Sequence, residues 1–291
     1  MSEETVPTSQ AAALMAVLAL EEREPDVFVG QTPRTRMQRI FGGQVAGQAL
    51  MAATRTLPEG RAVHSLHSYF LRPGDPNEEI RYAVERMRDG RTFSTRRVVA
   101  WQRRADKDAA IFVLTADASA GEAAVAEHSL PMPDVPDPES LPSFMDLMAA
   151  RGETRVSRSL GEAVEQRLLE HPWDRPPKTY PNTKSWAWMR VSGQLPDDQP
   201  VHAAALTFAS DLSLLGAGTA RLGGGWGKTA GSSLDHAVWF HQPVRADEWF
   251  LYETDSPAAS HGRALCFGQI WAADGTHVAT VTQQGLIRSL E

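Results

Sequence analysis

Asp211 is the one carboxylate in the apolar run from Ala203 to Leu215. An acidic side chain in such a run is either a helix cap or a group held for chemistry, as a general base or a water-orienting group. Counting back about 170 residues from it reaches Phe41-Gly42-Gly43, just before a helix. That places Asp211 at the start of the second half's buried helix, where free N–H groups favour the anion. Gln283 and Gln284 interrupt the closing strand, Val278 to Ile287. Amides there can hold a water or a carbonyl oxygen, and a solvent-facing position accounts for at least one of them.

Other groupings fail on spacing. Leu222 to Thr229 ends in Gly-Lys-Thr, but leucine stands where a phosphate-binding loop needs its first glycine. His64 with His67, and His236 with His241, have odd separations, so on a strand each pair would face opposite ways and share no metal. Ser233, Asp235 and His236 lack a Gly-x-Ser-x-Gly elbow, and His236 would point away from Ser233. Cys266 has apolar neighbours and reads as a small buried hydrophobe. Eight arginines lie between Arg81 and Arg104 (residues 81, 86, 88, 91, 96, 97, 103 and 104), opposed only by Glu85 and Asp89. They form either a solvated strand face or a patch for phosphates.

These residues need elements to position them. Leu14, Val17 and Leu18 mark a short amphipathic helix. Gln44 to Ala53 is small on most sides and predicts a helix buried nearly all round. Strands follow at His64–Leu71, Glu79–Arg86, Thr92–Gln102 and Ala109–Ala116. In the third, Phe93, Thr95, Arg97, Val99 and Trp101 share a side. Asp89-Gly90 predicts a type I′ hairpin turn. From Pro131 to Pro181 prolines bracket a connector, with short helices predicted at Ser143–Ala150 and Leu160–Leu169.

The second half then repeats the first. Tyr69 to Pro73, Asp89-Gly90-Arg91 and Ala100-Trp101-Gln102 are echoed by Trp239 to Pro243, His261-Gly262-Arg263 and Ile270-Trp271-Ala272. The proline-to-glycine spacing is 17 residues (73 to 90) and then 19 (243 to 262). Duplication of one unit is the expectation. The units are 1–130 and 182–291, with the connector at 131–181. The fold class is α+β, two antiparallel sheets each wrapped around a central helix.

The 291 residues suit two ordinary domains, and the net charge of −7 argues against a nucleic-acid partner. One cysteine excludes an internal disulfide. No apolar run is long enough for a membrane span. Glu3 and Glu4 precede the apolar run Ala11–Leu20, unlike a signal peptide, and Ser289-Leu290-Glu291 is not a peroxisomal tripeptide. The expected location is cytoplasmic.

Several long motifs, in order, resemble the acyl-CoA thioesterase II (TesB-type) family. They are Phe41 to Leu50, His67 to Asp75, Arg88 to Ser94, Ala209 to Leu212, Ser233 to His236, Trp239 to His241 and Gln283 to Gly285. The connector matches poorly, and nothing is carried over there. The family implies a double hotdog fold, hydrolysis of acyl-CoA thioesters by an activated water, no metal or other cofactor, and assembly into homo-oligomers. Its catalytic aspartate, hydroxyl and glutamine fall on Asp211, Ser233 and Gln283, with serine where some relatives carry threonine. Two other readings stand beside it. One is a hotdog enoyl-CoA hydratase or dehydratase using Asp with His236 or His241. The other is a non-catalytic acyl-CoA binding protein in which Asp211 is only a cap.

Overall fold

A computed structural model describes residues 9–32, 38–105, 107–152, 163–170, 176–178, 183–222 and 229–290. Ser9 caps helix α1 (Gln10–Leu18) by accepting from the Ala12 N–H, and α1 buries Ala11, Leu14, Val17 and Leu18. The following acidic stretch forms strand β1 (Leu20–Glu24), hairpinned to β2 (Val27–Gly30). Helix α2 (Gly42–Thr54) is buried on nearly every side, as its small residues predict. Helix α4 (Gln199–Ser210) runs antiparallel against it. A Cβ at Gly43 would stand 2.4 Å from the Phe208 carbonyl oxygen, so only glycine permits this approach.

Strands β3 (Ala62–Phe70), β4 (Ile80–Asp89), β5 (Phe93–Arg104) and β6 (Lys107–Ser119) complete the first unit. After helix α3 (Phe144–Ala150) come β7 (Glu165–Leu168) and β8 (Ser185–Arg190). Beyond α4 lie β9 (Thr229–Ser233), β10 (Asp235–Phe240), β11 (Phe250–Ser260), β12 (Arg263–Ala272) and β13 (His277–Ser289). The strand order is β1-β2-β4-β5-β6-β3-β10-β13-β12-β11-β8-β7, with β9 pairing beside β10 on β13.

The expected two sheets are therefore one. Strands β3 and β10 pair antiparallel across the unit boundary, from Ser65↔Trp239 to Tyr69↔Asp235. Each would otherwise be an open edge with unpaired backbone groups. The pairing centres on His67↔Ala237, and 67 + 170 = 237, so the joint is its own image under the repeat. A bulge between Ala100 and Trp101 recurs between Ile270 and Trp271, again 170 apart. The bulge of β3 between Val63 and Ser65 matches the break between β9 and β10 at Leu234. Bulges that recur in register are inherited features, and they support duplication.

Three local expectations are corrected. Of the helix expected at 160–169, residues 160–162 lie outside the described residues, and 165–168 form the edge strand β7, because pairing with β8 satisfies their backbone. Gly90 is not at positive φ, so its turn is not type I′. Asp89 stays in β4 opposite Ser94, whose hydroxyl donates to the Asp89 carboxylate at 2.7 Å. The corresponding turn does have that form, with His261 at φ 50° and Gly262 at φ 71°. The connector is more than a linker. Met132, Val135 and Leu141 cover Trp188, Leu251 and Trp271 on the sheet, and the Trp188 indole donates to the Pro136 carbonyl at 2.8 Å.

Within β5 the residues Ser94, Arg96, Val98, Ala100 and Gln102 are buried, and the row from Phe93 to Trp101 turns the other way. Arg96 is wholly buried. Its guanidinium donates to the Thr56 hydroxyl and carbonyl, both at 2.9 Å, and to Asp89 at 2.8 Å.

Candidate active site

Asp211 closes helix α4. The expectation of a helix start in its own unit is wrong, because the strand offset of 170 does not carry through the helices. Seven residues separate α2 from β3 (55–61), whereas eighteen separate α4 from β9 (211–228). The 3-10 stretch Leu214–Leu222 occupies part of that insertion. Asp211 nevertheless meets a helix N-terminus, that of α2 in the other unit, where the nearby Gly43 N–H favours its anion. Phe41, at the N-cap position of α2, supplies no side-chain cap of its own. A Cβ on Gly42 would come within 2.7 Å of the Asp211 Oδ2, so glycine leaves the carboxylate room.

Three elements bring the expected residues together. Gln283 of β13 is fully buried, and its Nε2 donates to Asp211 Oδ1 at 2.8 Å. Ser233, the last residue of β9, donates to the same oxygen at 3.3 Å, and Gln283 Nε2 also donates to the Ser233 hydroxyl. Gln284 is turned elsewhere, and its N–H donates to Asp235. Asp211 keeps an opening onto the cavity, yet the protein around it displaces most of its water. That desolvation raises its pKa from 3.8 to about 6, against the Gln283, Gly43 and Ser233 donors nearby, which favour the anion.

The cavity holds about 420 Å³ and lies where the units meet. Ile40, Phe41, Phe70, Leu71, Phe112 and Leu215 give it apolar walls, and Asp211 and Ser233 supply polar groups. Arg39 and Arg72 also line it. Arg39 is held by the Ser232 hydroxyl and the Gly231 carbonyl, each at 2.9 Å, and Arg72 by the Ala110 carbonyl at 2.7 Å.

Homologous domain families match both halves: the acyl-CoA thioesterase N-terminal domain over residues 31–119 and the C-terminal domain over 127–287. The chain belongs to the acyl-CoA thioesterase family. It is 36% identical to human acyl-coenzyme A thioesterase 8, over 96% of this chain and 90% of that protein. It is 32% identical to acyl-CoA thioesterase 2 of Haemophilus influenzae, over 96% and 98%. The solved acyl-CoA thioesterase II TesB2 of Mycobacterium marinum superposes with a TM-score of 0.77 at 36% identity, covering 95% of this chain and 98% of that one. A hot dog protein of unknown function from Alicyclobacillus acidocaldarius shares the fold at a TM-score of 0.76 and 21% identity, covering 96% and 99%.

In this thioesterase chain five of the eight clustered arginines are tied into ion pairs. Arg81 and Arg103 pair with Asp108, Arg86 with Asp26, Arg96 with Asp89 and Arg97 with Glu85. Sequence reasoning missed Arg39 and Arg72, whose only sequence signal is proximity to the Phe41-Gly42-Gly43 and Leu71-Arg72-Pro73 motifs. The remaining groupings do not assemble. His64 bonds Asp117 while His67 packs on Trp239, and His236 bonds Ser210 while His241 bonds Thr280. Burial pushes the Cys266 thiol up to about 11, which keeps it protonated. Residues 223–228 of the glycine-rich loop lie outside the described residues.

The repeat gives each site position a counterpart. The pair Cys266↔Gln283 corresponds to Arg96↔Ala116, and Ser233↔Gly285 to Val63↔Ala118. Arg55 closes α2 as Asp211 closes α4. The first unit therefore has valine, alanine and arginine where the second has serine, glutamine and aspartate.

Proposed function

We propose that this protein hydrolyses acyl-CoA thioesters to a carboxylic acid and coenzyme A. The observation that carries the reading is Asp211 Oδ1, which receives both Gln283 Nε2 and Ser233 Oγ at the edge of an apolar cavity. Above about pH 6 the ionised Asp211 takes a proton from a water held with Ser233 and Gln283. The water oxygen adds to the thioester carbonyl carbon, with the N-terminal end of α2 facing the developing negative oxygen. Collapse breaks the C–S bond, and the proton passes from Asp211 to the departing thiolate.

The acyl chain fits the apolar walls, and Arg39 and Arg72 suit the phosphates of coenzyme A. The fold is read as a double hotdog, with units 1–130 and 182–291 and a strap, 131–181, that belongs structurally to the second. Assembly into homo-oligomers is part of this reading. The hydratase alternative needs a histidine facing Asp211 in the cavity, and neither His236 nor His241 lines it.

The test is incubation of purified protein with saturated acyl-CoAs and enoyl-CoAs, following free thiol and enoyl absorbance. Thiol release that disappears with Asp211→Asn supports the reading. Loss of enoyl absorbance without thiol makes it a hydratase, and tight binding without either makes it a binding protein.

A further inference from the structure

Gln283 must present nitrogen, not oxygen, to Asp211, and its amide has no intrinsic preference. The β10–β13 register pairs Ala237 with Thr282, which places His236 directly across from Gln283 on the same face. Both side chains are buried, at 1% and 0% exposure. His236 Nδ1 and Gln283 Oε1 have no partner within ordinary hydrogen-bond distance. A buried donor site and a buried acceptor, each otherwise unpaired, thus face each other.

We propose that His236, as the neutral tautomer with its proton on Nδ1, is a positioning residue that locks the Gln283 amide with its nitrogen toward Asp211 and Ser233. The proposal rests on the hydrolytic reading above and deepens it.

The other ring nitrogen has a partner that can serve this tautomer. His236 Nε2 lies 2.9 Å from the Ser210 hydroxyl. With the proton on Nδ1, Nε2 accepts from Ser210, which otherwise donates to the Thr207 carbonyl at 3.0 Å. Burial lowers the ring's pKa to about 4, so it stays neutral through the range in which Asp211 ionises. Ser210 directly precedes Asp211 in the chain. The bonds therefore close a ring that leaves the end of α4 at Ser210, passes through His236 and Gln283, and returns at Asp211. Two anchors hold it, Tyr252 donating to the Ser210 carbonyl at 3.0 Å and Ser68 to the His236 carbonyl at 2.7 Å.

The test compares His236→Asn, whose amide N–H reaches the place of Nδ1, with His236→Gln, whose amide reaches the place of Nε2, and with His236→Phe. Thermal unfolding verifies each fold. The expected result is a fall in kcat of about 10- to 100-fold for Phe and Gln with KM within about threefold, and recovery of most of it by Asn. In a Gln283→Ala background the His236 changes should have no further effect on kcat. Equal impairment by Asn and Gln, or a full His236 effect without Gln283, overturns the proposal. Nitrogen-15 spectra of the imidazole in the wild-type protein give a reading independent of turnover and of any variant's folding. A proton on Nδ1 supports the lock and a proton on Nε2 overturns it. If the wild type releases no thiol from acyl-CoA, the hydrolytic reading fails, while the spectrum still decides the tautomer.

Discussion

Gly42 lies so close to the Asp211 carboxylate that a Cβ on it would stand 2.7 Å from Oδ2, which sets the first turn of α2 against the end of α4. The candidate base of one unit thus rests on the helix N-terminus of the other. A carboxylate at the end of its own helix meets carbonyl oxygens, an unfavourable neighbourhood for an anion. The antiparallel packing of α2 and α4 corrects this by supplying an uncapped N-terminus.

Asp211→Asn should reduce hydrolysis by roughly 10²- to 10⁴-fold, the usual share of a general base. Steady-state thiol release measures it, and near-normal kcat would remove Asp211 from the chemistry.

The same substitution should alter stability in a pH-dependent way. Asp211 has a folded pKa of about 6, raised by burial, so the folded chain holds this proton more tightly than the unfolded chain does. Its contribution is complete below the unfolded value near 3.8 and is lost as pH rises through about 6. Asp211→Asn, which does not ionise, should match the wild type near pH 4 and exceed it by about 2–3 kcal/mol at pH 8. Urea unfolding at the two pH values reads the difference, and a gap of the opposite sign would contradict the burial argument.

Turnover has its own pH dependence. An ionised base is required, so kcat should climb about tenfold per unit below pH 6 and level off above it. A profile flat from pH 5 to 8 would assign the proton transfer elsewhere.

Gly43→Ala should destabilise the protein by about 1–3 kcal/mol, since its Cβ would meet the Phe208 carbonyl oxygen at 2.4 Å and that oxygen belongs to a packed backbone. The helices must part to relieve the contact, and Asp211 moves with α4. Both Tm and kcat should fall, and a change in Tm alone would separate the helix contact from the site.

The arginines should divide into two classes. Arg39→Ala and Arg72→Ala, at the cavity, should raise KM for acyl-CoA about tenfold each and weaken its salt dependence. Arg96→Ala should leave KM unchanged in the folded protein and lower stability by about 2–4 kcal/mol, because it empties a fully buried site and strips the Thr56 hydroxyl and carbonyl of their partner. Kinetics at two ionic strengths, with denaturant melts, distinguish the classes.

Much of the fold was legible because local patterns carry it. The small-residue helix at Gly42–Thr54, the meanders and the repeat follow from spacing, and Asp211 and Gln283 stood out as polar residues in apolar runs. What escaped depends on tertiary placement. The position of Asp211 was misread because the insertion after α4 breaks the offset on which the reading relied. The arginine cluster drew attention by density, but its partners Asp26 and Asp108 lie on other segments. The joint between β3 and β10 is invisible to any local window, since its two strands are about 170 residues apart.

The counterpart position in the first unit, with Val63, Ala116 and Arg55, has a consequence for stoichiometry. Two such units side by side could offer two reaction centres, and this chain retains the polar groups for one. Active-site titration with a slowly turned-over thioester analogue should then saturate at a single equivalent per polypeptide. Under the proposed hydrolysis the first unit contributes a helix N-terminus and cavity wall in place of an Asp, Ser and Gln set, so sequence change at its Val63 and Ala116 should register in melting temperature and not in turnover.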